Sequence, residues 1–168
     1  MSGPVLRASG LWLCPIHFAT GDDVLKLLAG VEGVTFSPSE IAKYCDDLAL
    51  DQAVLTKPCQ SYSKGMRQKL GLIACLAANK PLLILDEPMS GLDPVARKLF
   101  KDRLLEQQSR GCSVLFSTHL LEDIQSVCSR VIIFDLGQLK FIGTLEELFT
   151  ITDENHLEAA FLSVIEAV

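Results

Sequence analysis

Residues 82–93 read L-L-I-L-D-E-P-M-S-G-L-D, four apolar residues that lead directly into an acidic pair. A short apolar run bounded by proline and charge is typical of a strand buried in a parallel sheet. Ligand sites of open α/β sheets lie at the carboxyl ends of such strands, where Asp86 and Glu87 stand. An aspartate there suits Mg²⁺, and a glutamate can orient or deprotonate water. Without further context, two solvent-facing charges are the simpler interpretation.

The segment before this run predicts helices. Asp22 is a candidate cap for a first helix, and Ser37-Pro38-Ser39-Glu40 is a capping box with proline at the first helical position. Ser63 is a candidate cap for a third helix with an apolar face. The first ten residues predict a loose terminus, and Leu11–Cys14 a short strand that ends at a proline.

The segment after the run predicts more strands. Val114–Ser117 and Val131–Asp135 are apolar runs with a helix between them, and Leu139–Ile142 is a short strand-like run after a turn at Gly137. Thr144 begins a second capping box with Glu147. Strand, helix and strand in this order predict a parallel sheet with right-handed crossovers. We therefore expect an α/β fold, one domain over residues 1–168, with these parts: a leader and strand in 1–19, a helical segment in 20–80, an α/β core in 81–150 and a tail in 151–168.

Composition excludes several classes of protein. The 168 residues are 49% hydrophobic with a mean hydropathy of +0.32, which argues against disorder. A net charge of −6 and a pI near 5.0 argue against nucleic-acid binding. The six cysteines form no C-x-x-C pair, and no apolar run reaches the roughly 18 residues of a membrane helix. The composition indicates a cytoplasmic protein whose membrane contact would go through a partner.

Three further motifs surround the acidic pair. Residues 61–70 read S-Y-S-K-G-M-R-Q-K-L, residues 89–93 read M-S-G-L-D, and His119 follows in F-S-T-H-L. Each is weak alone, since a serine before a helix is usually a cap and a strand-end histidine is usually structural. Their order and spacing resemble the nucleotide-binding domains of ABC transporters, where signature loop, Walker B, D-loop and switch histidine follow one another. The resemblance covers roughly residues 11–163 and implies a partial P-loop NTPase core of RecA-like type, preceded by the ABC helical subdomain.

By this resemblance, residues 62–66 are a signature loop. Such a loop acts in trans: the hydroxyl of Ser63 and the backbone N–H groups around Gly65 would grip the γ-phosphate of ATP held by an opposite subunit. The physics of helix N-termini supports anion binding there.

The resemblance also assigns roles around the acidic pair. It implies that Asp86 serves Mg²⁺ of Mg-ATP and that Glu87 is the catalytic carboxylate. Ser90 and Asp93 would touch a dimer partner as D-loop residues, and His119 would contact the γ-phosphate.

The sequence departs from the family pattern in three places. The P-loop reads G-x-x-x-x-G-K-[ST], and no lysine in this sequence follows a glycine. The family has the Q-loop glutamine at a position near Ile16, which is an isoleucine here. It has the first glycine of the signature at the position of Lys64. Without a nest of backbone N–H groups and a lysine on the phosphates, the chain is expected to bind and hydrolyse ATP poorly alone. We also expect the strand at 82–85 to show an unpaired edge and the isolated chain to be marginally stable.

Four functional readings remain open. The first is an ATPase subunit that is inactive alone, and the second is a non-enzymatic half-site that completes the ATP site of an intact subunit. The third is a module that docks on a permease through residues 20–80. A chromosome-maintenance ATPase is a fourth reading, but no long heptad helix precedes the signature. The implied partners are an ABC ATPase subunit, in a homodimer or heterodimer, and a transmembrane permease, with no nucleic acid. The implied location is cytoplasmic, peripheral at the inner face of the membrane.

Overall fold

The structure, a computed structural model, describes residues 6–8 and 18–166 and divides the chain into two compact units, with the boundary after Ser117. The elements of the first unit are β1 (Leu6–Ala8), α1 (Gly21–Glu32), α2 (Pro38–Asp47), α3 (Lys64–Ala77), β2 (Leu82–Leu85), α4 (Pro94–Ser109) and β3 (Ser113–Phe116). Two short 3-10 helices, Gln52–Thr56 and Cys59–Ser61, link α2 to α3. The elements of the second unit are α5 (Leu121–Val127), β4 (Val131–Asp135), β5 (Gln138–Gly143), α6 (Leu145–Thr152) and α7 (Leu157–Glu166).

The sheet of the first unit is parallel, as predicted, and β2 lies at its centre in the order β1-β2-β3. Leu83 on β2 is paired with Leu6 on one side and with Val114 on the other. The expected unpaired edge of β2 is therefore wrong, and so is the description of all ten first residues as a loose terminus. A strand of three residues carries no periodicity that a pattern could detect. The predicted strand at Leu11–Cys14 and the position of Ile16 lie outside the described residues.

The helices begin where short polar side chains can satisfy their first N–H groups. The predicted capping box of α2 is confirmed: Ser37 accepts from the N–H of Glu40, whose carboxylate accepts from the N–H of Ser37. The cap of α1 is Thr20, in a capping box with Asp23, rather than the predicted Asp22. Helix α3 is buried along most of its length and packs against α1 and α2.

The core of the first unit lies between the helices and the sheet. Its anchors are large side chains that are almost fully buried: Leu48, Ile73, Leu76, Leu83, Phe100 and Leu104. A buried ion pair ties helix α1 to the start of β2, because Lys80 lies 3.2 Å from the carboxylate of Glu32 and donates to its carbonyl oxygen. These contacts hold the start of β2, the strand that leads into the acidic pair.

The second unit is built on an antiparallel hairpin. Strand β4 has the predicted bounds, but its described pairing is with β5 and not with the parallel sheet. The cause is the turn at Leu136 and Gly137, which both have positive φ, of 47° and 76°. This is the backbone pattern of a tight two-residue hairpin turn. The buried core of this unit consists of Val131, Ile133, Leu148, Leu157 and Ala160.

Candidate functional site

The acidic pair lies at the carboxyl end of β2, where Asp86 and Glu87 are both exposed. Ser117, which follows β3, makes hydrogen bonds to three successive residues there. Its N–H donates to the carbonyl of Leu85 at 3.0 Å, and its hydroxyl donates to Oδ1 of Asp86 at 2.6 Å. The same hydroxyl oxygen accepts from the N–H of Glu87 at 2.9 Å. One side chain on the neighbouring strand therefore contacts both members of the pair.

Glu87 has a left-handed backbone, with φ of 42°. A left-handed backbone at a residue other than glycine costs about 1–3 kcal/mol and persists only where surrounding contacts impose it. Here the Ser117 hydroxyl holds the N–H of Glu87, and the carbonyl of Glu87 accepts from the N–H of Ser90 at 3.0 Å. The chain consequently turns sharply away from β2 directly at the acidic pair.

The signature-like segment forms the N-terminus of α3. The predicted cap is confirmed, because the hydroxyl of Ser63 accepts from the N–H of Met66 at 3.1 Å. A β-carbon on Gly65 would lie 2.9 Å from the carbonyl oxygen of Gly91, so only glycine fits against this backbone. Side-chain carbons of Lys64 run beside Gly91, which has a φ of 78°. The M-S-G-L-D loop thus packs directly on the first turn of α3.

Two further contacts fix this packing. Nε2 of Gln68 donates to the carbonyl of Pro88 at 2.8 Å. Nζ of Lys69, one turn into α3, lies 3.2 Å from Oδ2 of Asp93 and donates to the carbonyl of Ala49 at 3.0 Å. The loop between β2 and α4 is therefore attached to α3 near both of its ends.

Asp93 is the N-cap of α4, and its Oδ1 accepts from the N–H of Ala96 at 2.9 Å. This backbone N–H, and then the ammonium of Lys69, hold the pKa of the Asp93 carboxyl below its usual value. The negative charge of Asp93 is thus paired with groups of the same chain. Ser90, three residues earlier, is half-buried.

His119 belongs to the second unit and is exposed. The residues around it are held by hydroxyl contacts: Thr118 accepts from the N–H of Leu120 at 3.1 Å and donates to Oδ2 of Asp123 at 3.4 Å. The Asp123 side chain is completely buried. Six of the seven predicted residues lie in the first unit: Ser63, Gly65, Asp86, Glu87, Ser90 and Asp93.

The oxygen donors at β2 suit a nucleotide-borne cation. Within residues 6–8 and 18–166, no cluster of three or more metal-ligating side chains forms a metal cage. Mg²⁺ is usually held by one or two carboxylates together with substrate phosphates, and Asp86 with Glu87 offers that number of carboxylates. Oδ1 of Asp86 accepts from Ser117, which leaves Oδ2 available to a cation or its water.

Sequence reasoning missed Ser117, Gln68 and Lys69. The only signal for Ser117 was its position at the end of the predicted strand Val114–Ser117, since the carboxyl ends of parallel neighbours lie at the same edge of a sheet. Gln68 and Lys69 carried no signal beyond lying one turn after Ser63.

Comparisons with known proteins identify relatives of this chain. The uncharacterized ABC transporter ATP-binding protein all4389 of Nostoc sp. (strain PCC 7120) is 33% identical over 145 residues, which cover 84% of this chain and 43% of that protein. The uncharacterized ABC transporter ATP-binding protein YdbJ of Bacillus subtilis (strain 168) is 34% identical over 142 residues, with shares of 84% and 46%. A solved structure described as the ATP binding subunit of an ABC transporter superposes with a TM-score of 0.80 at 27% identity, covering 99% of this chain and 67% of the other.

The chain belongs to the ABC transporter ATP-binding protein family. The family described as "AAA domain, putative AbiEii toxin, Type IV TA system" also matches residues 57–122. This ABC-family chain spans less than half the length of each of the two relatives named above. In the part that the structure describes, no helix is both long enough and apolar enough to cross a membrane.

Proposed function

We propose that this chain is part of the ATP-binding and ATP-hydrolysing subunit of an ABC-type transporter, and that it supplies the signature-type half of a composite ATP site. The observation that carries the proposal is the contact between Gly65 and Gly91, which joins the N-terminus of α3 to the loop of the acidic pair. Two segments that belong to a signature loop and a D-loop by resemblance thereby form one continuous surface.

The N-terminus of α3 has the properties of an anion site. Its first N–H groups have no partner within the helix, and the positive end of the helix dipole is there. Ser63 caps this end, and Lys64 adds a cation where the family pattern has glycine. The charge of Lys64 favours a phosphate of ATP that another subunit holds.

The phosphate-gripping loop must come from another chain or from another part of a longer protein, since no lysine in this sequence follows a glycine. We therefore expect weak binding of ATP by residues 1–168 alone. Mg-ATP, when bound, would supply the phosphoryl group and the cation. Asp86 would then serve Mg²⁺, Glu87 would orient or deprotonate water, and His119 would contact the γ-phosphate.

The proposed partners follow from the same surface. Ser90 would face a second ABC subunit, and Asp93, whose carboxylate is engaged by Lys69, would fix the path of the loop. A transmembrane permease would bind the helical segment at 20–80, which would place the protein at the cytoplasmic face of a membrane. The net charge of −6 gives no support to nucleic-acid binding.

The test measures ATP-dependent association. Sedimentation velocity with Mg-ATP is run on this chain alone and on a mixture with an intact homologous subunit that has a P-loop but cannot hydrolyse ATP. Association in the mixture and not alone is the expected result. Tight Mg-ATP binding by this chain alone would contradict the composite site, and no association in the mixture would contradict the role of the signature-like surface.

A second measurement separates the hydrolytic role from a non-enzymatic half-site. The mixture is assayed for ATP hydrolysis with a hydrolysis-competent partner, and Glu87→Gln is introduced into this chain only. If the acidic pair of this chain takes part in hydrolysis, Glu87→Gln lowers the rate of the mixture. An unchanged rate, with association preserved, assigns this chain to the half-site reading.

A further inference from the structure

Ser117 makes contacts that the formation of the sheet does not require. The ladder between β2 and β3 needs only its N–H, which donates to Leu85. Its hydroxyl makes two additional hydrogen bonds, at 2.6 Å to Oδ1 of Asp86 and at 2.9 Å from the N–H of Glu87. A hydroxyl can donate once while accepting, and this one uses both capacities on the acidic pair.

The donated hydrogen bond orients a carboxylate. A hydrogen bond from a neutral hydroxyl to a carboxylate is short and charge-assisted, as the 2.6 Å distance indicates. It fixes the rotation of the Asp86 side chain and leaves Oδ2 directed away from Ser117. Groups that hold a metal-serving carboxylate in place commonly change metal affinity by 10–100-fold when removed.

The accepted hydrogen bond holds the backbone of Glu87. Glu87 has a left-handed φ of 42°, which a residue with a side chain adopts only when surrounding contacts constrain its backbone. Ser117 lies thirty residues away in the chain, so the constraint comes from the neighbouring strand and not from the turn alone.

We propose that Ser117 is a positioning residue for the acidic pair, which sets the orientation of the Asp86 carboxylate toward Mg²⁺ of a bound nucleotide and the backbone direction of Glu87. The part that concerns Mg²⁺ rests on the proposed function. The part that concerns Glu87 depends only on the contacts within the chain.

The first experiment tests the hold on Glu87 and needs no nucleotide. Amide hydrogen exchange is measured by NMR on the full chain for the wild type, Ser117→Ala, Ser117→Thr and Ser113→Ala. Ser113, at the other end of β3, is the matched control, because it is an exposed serine of the same strand. Ser117→Ala should raise the exchange rate of the Glu87 amide about tenfold, as the loss of one hydrogen bond predicts. Ser117→Thr, which keeps a hydroxyl, and Ser113→Ala should not.

The second experiment tests the orientation of Asp86. The χ1 rotamer populations of Asp86 are determined from three-bond NMR couplings on the full chain for the same variants. The wild type and Ser117→Thr should hold one dominant rotamer, and Ser117→Ala should populate more than one, because the hydrogen bond that fixes the carboxylate is gone. Ser113→Ala should leave the rotamer populations of Asp86 unchanged.

The outcomes separate the two proposals. A wild-type chain without Mg²⁺-dependent association would remove the proposed function and the metal part of this inference. An unchanged exchange rate of Glu87 in Ser117→Ala would overturn the positioning role, and so would unchanged rotamer populations of Asp86.

Discussion

The carbonyl oxygen of Gly91 lies so close to Gly65 that a β-carbon on Gly65 would stand 2.9 Å from it. One partner is the second residue of α3, and the other belongs to the turn between β2 and α4. The obstacle is backbone, which cannot rotate aside as a flexible side chain could. This contact determines where the N-terminus of α3 lies relative to the loop that follows the acidic pair.

Gly65→Ala should therefore displace that loop. We expect the free energy of unfolding to fall by about 1–3 kcal/mol, as for other small-to-large changes at packed sites. ATP-dependent association with an intact homologous subunit should weaken as well. Gly30→Ala in α1 is the matched control, because a β-carbon there meets nothing within 4 Å and alanine favours the helix. Equal effects of the two variants in denaturant titrations would contradict the role of the Gly65–Gly91 contact.

Ser63→Ala should separate stability from function. It removes the cap of α3 and should lower stability by about 0.5–2 kcal/mol. Ser37→Ala removes the equivalent cap of α2 and should cost a similar amount. Only Ser63→Ala should weaken ATP-dependent association in sedimentation velocity. If Ser37→Ala weakens it equally, the hydroxyl of Ser63 acts through stability alone.

The parts of the fold that the sequence predicted are those set by local rules. The caps at Ser37, Ser63 and Thr144 were predictable because each hydrogen bond joins residues three apart. The apolar run of β2 was predictable because a buried strand needs continuous apolar residues. The short strand after β4 was predictable from the turn at Gly137, but pattern alone could not find β1, which has three residues.

The same distinction between local patterns and long-range contacts applies to the candidate site. Motif order selected Ser63, Asp86 and their neighbours, but not how these segments touch. The contacts that hold the site join distant residues: Ser117 and Asp86 are 31 positions apart, and Gln68 and Pro88 are 20 apart. Such pairs become visible only when strands and helices are placed in space.

Asp93→Asn should lower stability at neutral pH and have no effect in acid. Asparagine keeps the cap of α4 but loses the charge that Lys69 pairs with. The pKa of Asp93 lies below its unfolded value of 3.8, so its stabilisation is present above pH 3.8 and is lost as pH falls through the lower folded pKa. Denaturant titrations of wild type and variant should therefore converge as the pH falls through the folded pKa of Asp93. Asp102→Asn, on an exposed residue of the same helix, is the matched control for the change of one charge.

The loss of stability in Tyr62→Phe should become smaller as the pH rises into the alkaline range. The buried hydroxyl of Tyr62 donates to the carbonyl of Val54 at 2.6 Å, and burial raises its pKa from 10.0 to about 12. At mildly alkaline pH, Tyr62→Phe should be less stable by about 1–3 kcal/mol, because the carbonyl of Val54 loses its donor. Between pH 10 and 12 the unfolded chain releases the phenolic proton that the folded chain retains, so the wild type loses stability as pH rises.

The difference between wild type and Tyr62→Phe should accordingly shrink across that interval. The chain has two tyrosines, so in a Tyr44→Phe background tyrosinate absorbance reports on Tyr62 alone. Titration of Tyr62 near pH 10 in the folded chain would mean that its hydroxyl reaches water, and that the segment leading into the signature-like loop opens in solution.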